Sequence, residues 1–124
     1  MADFNAVAKA FVEFYYQTFD TSRQNLTSLY RNNSMLTFEG QQFQGAANIT
    51  EKLVSLPFQK VAHRISTIDA QPSAADNSIL VIVSGQLLID EESNPQMFSQ
   101  TFLLMPEGGS FFVFNDMFRL IYGA

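Results

Sequence analysis

A chain of 124 residues is long enough for one domain with a real core and too short for two ordinary ones. Hydrophobic residues make up 47% and charged residues 15%, which excludes a disordered tail and implies more apolar surface than one small core can use. The net charge of -5 argues against the clustered cations that a nucleic-acid binder needs and favours basic partners.

From Phe4 the apolar residues Phe4, Val7, Ala8, Phe11, Phe14 and Tyr15 follow three- and four-residue steps, which predicts an amphipathic helix to about Phe19 with Asp3 near its start. Thr21-Ser22-Arg23-Gln24 has the form of a capping box, and Leu26, Leu29 and Tyr30 supply the buried side of a short second helix. Asn32-Asn33-Ser34 breaks that pattern. Met35 to Glu39 reads as a short strand, Gly40 to Gly45 as a turn-rich passage, and Ala46 to Leu56 as a third helix ended by Pro57. Four strands follow, at Lys60 to Ala70, Ser78 to Ile89, Gln96 to Met105 and Ser110 to Leu120, separated by turn-formers. The fold class is therefore α+β in a single domain, 1–124, with helices first and a meander after.

The later strands are apolar on both faces. In Ile79-Leu80-Val81-Ile82-Val83 and Phe111-Phe112-Val113-Phe114, consecutive side chains must leave the sheet on opposite sides, so both sides need cover. Helices can protect one face; a second copy of the same sheet in a two-fold dimer best explains the other.

The chain has no cysteine, which removes disulfides, thiolate zinc sites and thiol nucleophiles and leaves only His63 and carboxylates as metal ligands. Neither a metal nor a cofactor is expected. The start Met1-Ala2-Asp3-Phe4 has no basic or continuous apolar character, and no segment reaches the ~18 apolar residues of a membrane span, so a cytosolic chain without membrane insertion is expected. No nucleotide-binding or zinc-protease motif occurs. An enzyme would have to use His63, Asp116 and Tyr30 as an acid–base set in an apolar cavity; the plainer reading makes His63 and Asp116 structural hydrogen-bonding groups. Asp90-Glu91-Glu92 follows the apolar strand end Leu87-Leu88-Ile89, which suits either a solvated turn or the charged rim of a hydrophobic pocket.

At these residues the chain resembles a known family. Phe38-Glu39-Gly40-Gln41-Gln42-Phe43-Gln44-Gly45, Glu51-Lys52-Leu53-Val54-Ser55-Leu56-Pro57-Phe58-Gln59-Lys60, Gly85-Gln86-Leu87 and Asn115-Asp116-Met117-Phe118-Arg119-Leu120 look like nuclear transport factor 2, over nearly the whole chain. The resemblance implies a cone-shaped fold, three N-terminal helices on a strongly bent, mainly antiparallel sheet with a hydrophobic cavity. It implies a non-enzymatic homodimer that binds the GDP form of the GTPase Ran and phenylalanine-repeat nucleoporins, and works between cytoplasm, nuclear pore and nucleus. Carried over residue by residue, Phe38, Leu56, Phe58, Val61, Leu87, Ile89 and Phe118 form the cavity wall, with Glu39, Asp90 and Glu92 for ion pairs to Ran. Phe4 corresponds to the nucleoporin contact, and Ile82 and Met117 to the dimer contact. Animal members carry tryptophan where Phe38 and Phe4 stand, so here the aromatic surface is kept without the indole donor. Small isomerases and dehydratases share the fold, so an enzyme is the alternative.

Overall fold

The first helix, α1 (Phe4–Thr21), opens at Asp3, whose carboxylate accepts the Asn5 backbone N–H at 2.9 Å. It buries Ala8, Phe11, Val12, Tyr15, Tyr16 and Phe19, an unbroken run of three- and one-residue steps along one face. Phe14, expected on that face, is 53% exposed, because Val12 and Tyr16 complete the stripe instead. The structure, a computed structural model, describes residues 3–57, 60–75, 77–90 and 94–121.

Thr21 is the last residue of α1, not the cap of a new helix, and the cap at Ser22 makes no side-chain hydrogen bond. The capping box is therefore not formed: α1 runs through the first of its residues. Arg23–Leu29 winds as a 3-10 helix that buries Leu26, and leads directly into β1 (Tyr30–Phe38). That strand begins earlier than its sequence suggested. Asn32-Asn33-Ser34 forms an irregularity within it, where the buried Ser34 Oγ accepts the Arg31 backbone N–H at 2.8 Å and donates to the Val113 carbonyl at 2.5 Å. The passage read as turns contains a short strand, β2 (Gln41–Gln44), paired antiparallel with β1. The next helix, α2 (Ala46–Val54), ends two residues short of the expected Leu56.

The remaining strands are β3 (Val61–Pro72), β4 (Ile79–Ile89), β5 (Gln96–Glu107) and β6 (Ser110–Ile121). All six form one curled sheet in the order β2-β1-β6-β5-β4-β3. β1 lies parallel to β6, and every other pairing is antiparallel. β3 and β4 carry a register shift after Ile65, opposite Gly85. A Cβ on Gly85 would lie 2.3 Å from the Arg64 carbonyl oxygen, so no side chain fits where the two backbones close together.

The sheet has one covered face and one open face. Ile79, Val81 and Val83 are buried beneath the helices with Phe98, Phe102, Leu104 and Val113. Leu80, Ile82, Met97, Met117 and Ile121 are exposed on the other side. Ile82 pairs with Thr101 and Thr101 with Met117, which sets these positions in one row across β4, β5 and β6.

Candidate functional site

The alternation of each strand decides what the covered face offers. Leu36 and Phe38 leave β1 on the same side, as do Val61 and His63 from β3, Leu87 and Ile89 from β4, and Phe118 and Leu120 from β6. Register puts them side by side, with Val61 opposite Ile89, His63 opposite Leu87, and Phe38 beside Phe118. With Gln100 of β5, Tyr15 and Phe19 of α1, Leu53 of α2 and the following Leu56, they enclose a cavity of about 120 Å³.

Six of the residues expected in this wall are there: Phe38, Leu56, Val61, Leu87, Ile89 and Phe118. Phe58 lies outside the described residues. Leu36, His63 and Leu120 were missed, although each stands two positions from a wall residue on its own strand, and period two would have found them. Tyr15, Phe19, Leu53 and Gln100 also belong to the wall, and only the packing of helices on the sheet reveals them.

Aromatic rings stiffen one side. Phe38 stacks on Phe118 at 4.8 Å and 7°, and Phe118 on Phe98 at 5.6 Å and 18°. The Lys52 ammonium of α2 sits 5.5 Å from the Phe38 ring and 5.6 Å from the Phe43 ring, and donates to Gln41 Oε1 at 3.3 Å, tying α2 to the β1–β2 hairpin.

Two carboxylates stand at strand ends next to wall residues. Glu39 follows Phe38 with φ 52, its N–H donates to the Phe118 carbonyl at 3.1 Å, and its Oε1 accepts the Leu120 backbone N–H. Asp90 follows Ile89 with φ 53, its Oδ1 accepts the Lys60 N–H at 2.9 Å, and its own N–H donates to the Lys60 carbonyl at 2.6 Å. Each carboxylate thus holds a turn at a strand end, next in sequence to a cavity-wall residue. Glu92 lies outside the described residues.

Behind the wall, Asp116 is 1% exposed and receives Tyr30 Oη at 2.7 Å, Tyr15 Oη at 3.3 Å and Gln100 Nε2 at 2.7 Å. Tyr16 Oη donates to Gln100 Oε1 at 2.6 Å. Burial raises the Asp116 pKa to about 6, against the opposing pull of the three hydrogen bonds. Burial first, then the Asp116 charge, pushes the Tyr15 and Tyr30 hydroxyls well above 10.

The acid–base set considered from sequence is not assembled. Tyr30 and Asp116 do meet, but His63 bonds to Asp20, with Nδ1 2.6 Å from Oδ1 and the His63 backbone N–H donating to Oδ2 at 3.0 Å. The reason is topological: Asp20 closes α1 onto β3, whereas Asp116 is spent tying α1 to β1, β5 and β6. Asp116 is also absent from the cavity wall. Among the described residues, no group of three or more His, Asp or Glu side chains is placed to hold a metal ion.

Phe4 lies elsewhere. It borders an open groove with Val7, Ile79 and Phe111 and with the hairpin residues Pro72, Asn77 and Pro106 to Ser110. This groove and the cavity have no lining residue in common.

A curled sheet that closes over helices around an apolar cavity, with carboxylates at its strand ends, defines a cone-shaped α+β domain. The description "Nuclear transport factor 2 (NTF2) domain" matches residues 7–120. A nuclear transport factor 2 from Candida albicans is 65% identical over 120 residues, 97% of either chain. One from Saccharomyces cerevisiae is 62% identical over 122 residues, 98% of either chain. The solved nuclear transport factor 2 of Cryptosporidium parvum superposes with a TM-score of 0.91 at 50% identity, covering 95% of this chain and 94% of that one. The chain belongs to the nuclear transport factor 2 family.

Proposed function

We propose that this protein is a nuclear import factor that carries the GDP form of Ran through the nuclear pore by binding phenylalanine-repeat nucleoporins, without catalysing a reaction. The cavity supports this reading: ten of its thirteen lining residues are apolar, and of the acid–base set considered from sequence only His63 lines it, while Asp116 and Tyr30 are held in a hydrogen-bonded network behind it. Such a pocket suits the aromatic anchor of a partner protein, with Glu39 and Asp90 beside it to meet that partner's cations. Glu92 and Phe58 complete the proposed Ran site.

The nucleoporin contact is assigned to Phe4 and its groove, separate from the cavity. The open apolar row through Ile82 and Met117 is assigned to a homodimer, since an exposed stripe of this kind on a sheet needs a second surface. On this reading the protein moves between cytoplasm, nuclear pore and nucleus. No helix among the described residues is long and apolar enough to cross a membrane.

Calorimetric titration with Ran loaded with GDP, and separately with a GTP analogue, tests the proposal. Saturable binding of the GDP form alone is expected; binding of neither form would sink it.

A further inference from the structure

Two polar side chains of the cavity wall, Tyr15 and Gln100, are held by one carboxylate. Both are buried and line the cavity. The Tyr15 hydroxyl and the Gln100 amide nitrogen donate to Asp116, which is not itself a wall residue.

An ionised carboxylate only accepts hydrogen bonds, and that fixes the direction of every bond around it. Oδ1 takes Gln100 Nε2, so the Gln100 carbonyl is left to face Tyr16, whose hydroxyl must donate, at 2.6 Å. Oδ2 takes Tyr30 Oη at 2.7 Å and Tyr15 Oη at 3.3 Å, and the two hydroxyl oxygens lie 3.0 Å apart. Both wall side chains thus have their polar atoms satisfied within the core, and an apolar anchor in the cavity meets no unpaired donor from either.

A neutral Asp116 breaks this arrangement wherever its proton sits. On Oδ1 the hydrogen opposes the Gln100 N–H, so the amide must turn and withdraw its carbonyl from Tyr16. On Oδ2 it goes to Tyr30 Oη, the Tyr30 hydrogen passes to Tyr15 Oη, and the Tyr15 hydrogen is displaced from the carboxylate. In each case a wall side chain loses its acceptor. Asp116 is already sealed from solvent, so an anchor in the cavity removes little further water from it, and the state of Tyr15 and Gln100 decides which form docks better.

We propose that Asp116 is a positioning residue of the docking cavity: its ionised carboxylate holds Tyr15 and Gln100 in the binding orientation, and its neutralisation weakens docking. The proposal rests on the docking reading of the same cavity and names the group that sets its wall. With the Asp116 pKa raised by burial to about 6, the change falls close to neutral pH. The groups packed against it are Tyr15 and Tyr16 of α1, Tyr30 of β1 and Gln100 of β5. The three tyrosine hydroxyls are pushed well above 10, chiefly by burial, and stay neutral throughout. No charged side chain is among the causes of the Asp116 shift. His63, on the same wall, keeps its bond to Asp20 whatever stands at position 116.

Calorimetry of Ran-GDP with the full unmutated chain and with Asp116→Asn, each from about pH 7.5 down to about pH 5.5, tests the proposal. The amide is a fixed neutral counterpart of the protonated acid, and titrations elsewhere in both proteins cancel in the ratio of the two affinities. At the upper end of the range the unmutated chain is expected to bind about three- to tenfold tighter, the range of one net hydrogen bond. The ratio is expected to fall towards one at the lower end. A ratio that stays constant with pH, or equal affinities at the upper end, overturns the proposal. Carbon-13 and nitrogen-15 spectra of the unmutated chain alone supply a second reading. The Gln100 side-chain amide and Tyr15 Cζ resonances are expected to move with the midpoint of the Asp116 carboxyl carbon. Wall resonances that stay still while that carbon titrates overturn the proposal without Ran and without a variant. If they move together and Ran-GDP binds at no pH, the docking reading fails and the hold of Asp116 on the wall stands.

Discussion

Phe38 and Phe118 lie 80 residues apart in the chain and stack at 4.8 Å with their rings 7° from parallel. They meet because β1 lies parallel to β6 in a register that sets these two residues side by side. The pair joins the first strand to the last across the cavity wall. Replacing each by leucine, singly and together, keeps apolar bulk and removes the stack. A double-mutant cycle in urea unfolding at fixed protein concentration is expected to give a coupling of about 0.5–1.5 kcal/mol. A coupling near zero would mean that the rings contribute burial only.

Asp116 ties α1 to three strands, and its burial makes stability depend on pH. Its folded pKa is about 6 against an ordinary 3.8, so the folded state holds the proton more tightly than the unfolded state. The stabilisation from protonation is fully present below about pH 3.8 and is lost as pH rises through about 6. At 1.36 kcal/mol per unit the loss is on the order of 3 kcal/mol. Asp116→Asn cannot titrate. Subtracting its unfolding free energy from that of the unmutated chain at each pH isolates this contribution; a flat difference from about pH 4 to about pH 7 contradicts the assignment.

The strand-end carboxylates can lose charge without losing their turns. An amide oxygen can still accept the backbone N–H that Glu39 takes from Leu120 and Asp90 takes from Lys60. Glu39→Gln and Asp90→Asn are therefore expected to stay folded and to weaken Ran-GDP binding. Asp90 is exposed, so its loss should be about 1 kcal/mol, roughly fivefold, and should fade in high salt. Glu39 is half-buried, and a loss nearer 2 kcal/mol, roughly thirtyfold, is expected there. Calorimetry at two salt concentrations checks both; unchanged affinity in both variants removes the carboxylates from the Ran site.

Met117 is 50% exposed and its neighbour Phe118 only 7%, so adjacent apolar residues serve different surfaces. Met117→Glu places a carboxylate on the open row beside Thr101 and Ile82. It is expected to convert a dimer to monomers, at a cost of several kcal/mol of association, without disturbing the cavity. Sedimentation equilibrium reads the mass, and an unaltered dimer rules this row out as the interface.

Phe4→Ala should weaken binding of a phenylalanine-repeat peptide while leaving Ran-GDP affinity unchanged, because its groove and the cavity share no residue. Both affinities are measured on one preparation. Parallel loss of the two would indicate a damaged helix in place of a lost contact.

Local sequence determined the elements whose pattern is self-sufficient. The steps of α1, the alternation of β3 to β6 and the doubly apolar strands were legible because helical and extended backbones send side chains out at fixed periods. The identity of six wall residues was legible through family resemblance, which carries tertiary information that composition lacks. Tertiary structure alone decided that Thr21 would extend α1, that Tyr30 would begin a strand, and that Phe14 would face outward. It also decided the partners of the polar residues. His63 went to Asp20 and Tyr30 to Asp116 because hydrogen bonds in a core follow the register of strands and the angle at which a helix crosses them. Neither quantity is written in a local run of residues, and a buried polar group takes whichever partner that geometry brings within about 3 Å.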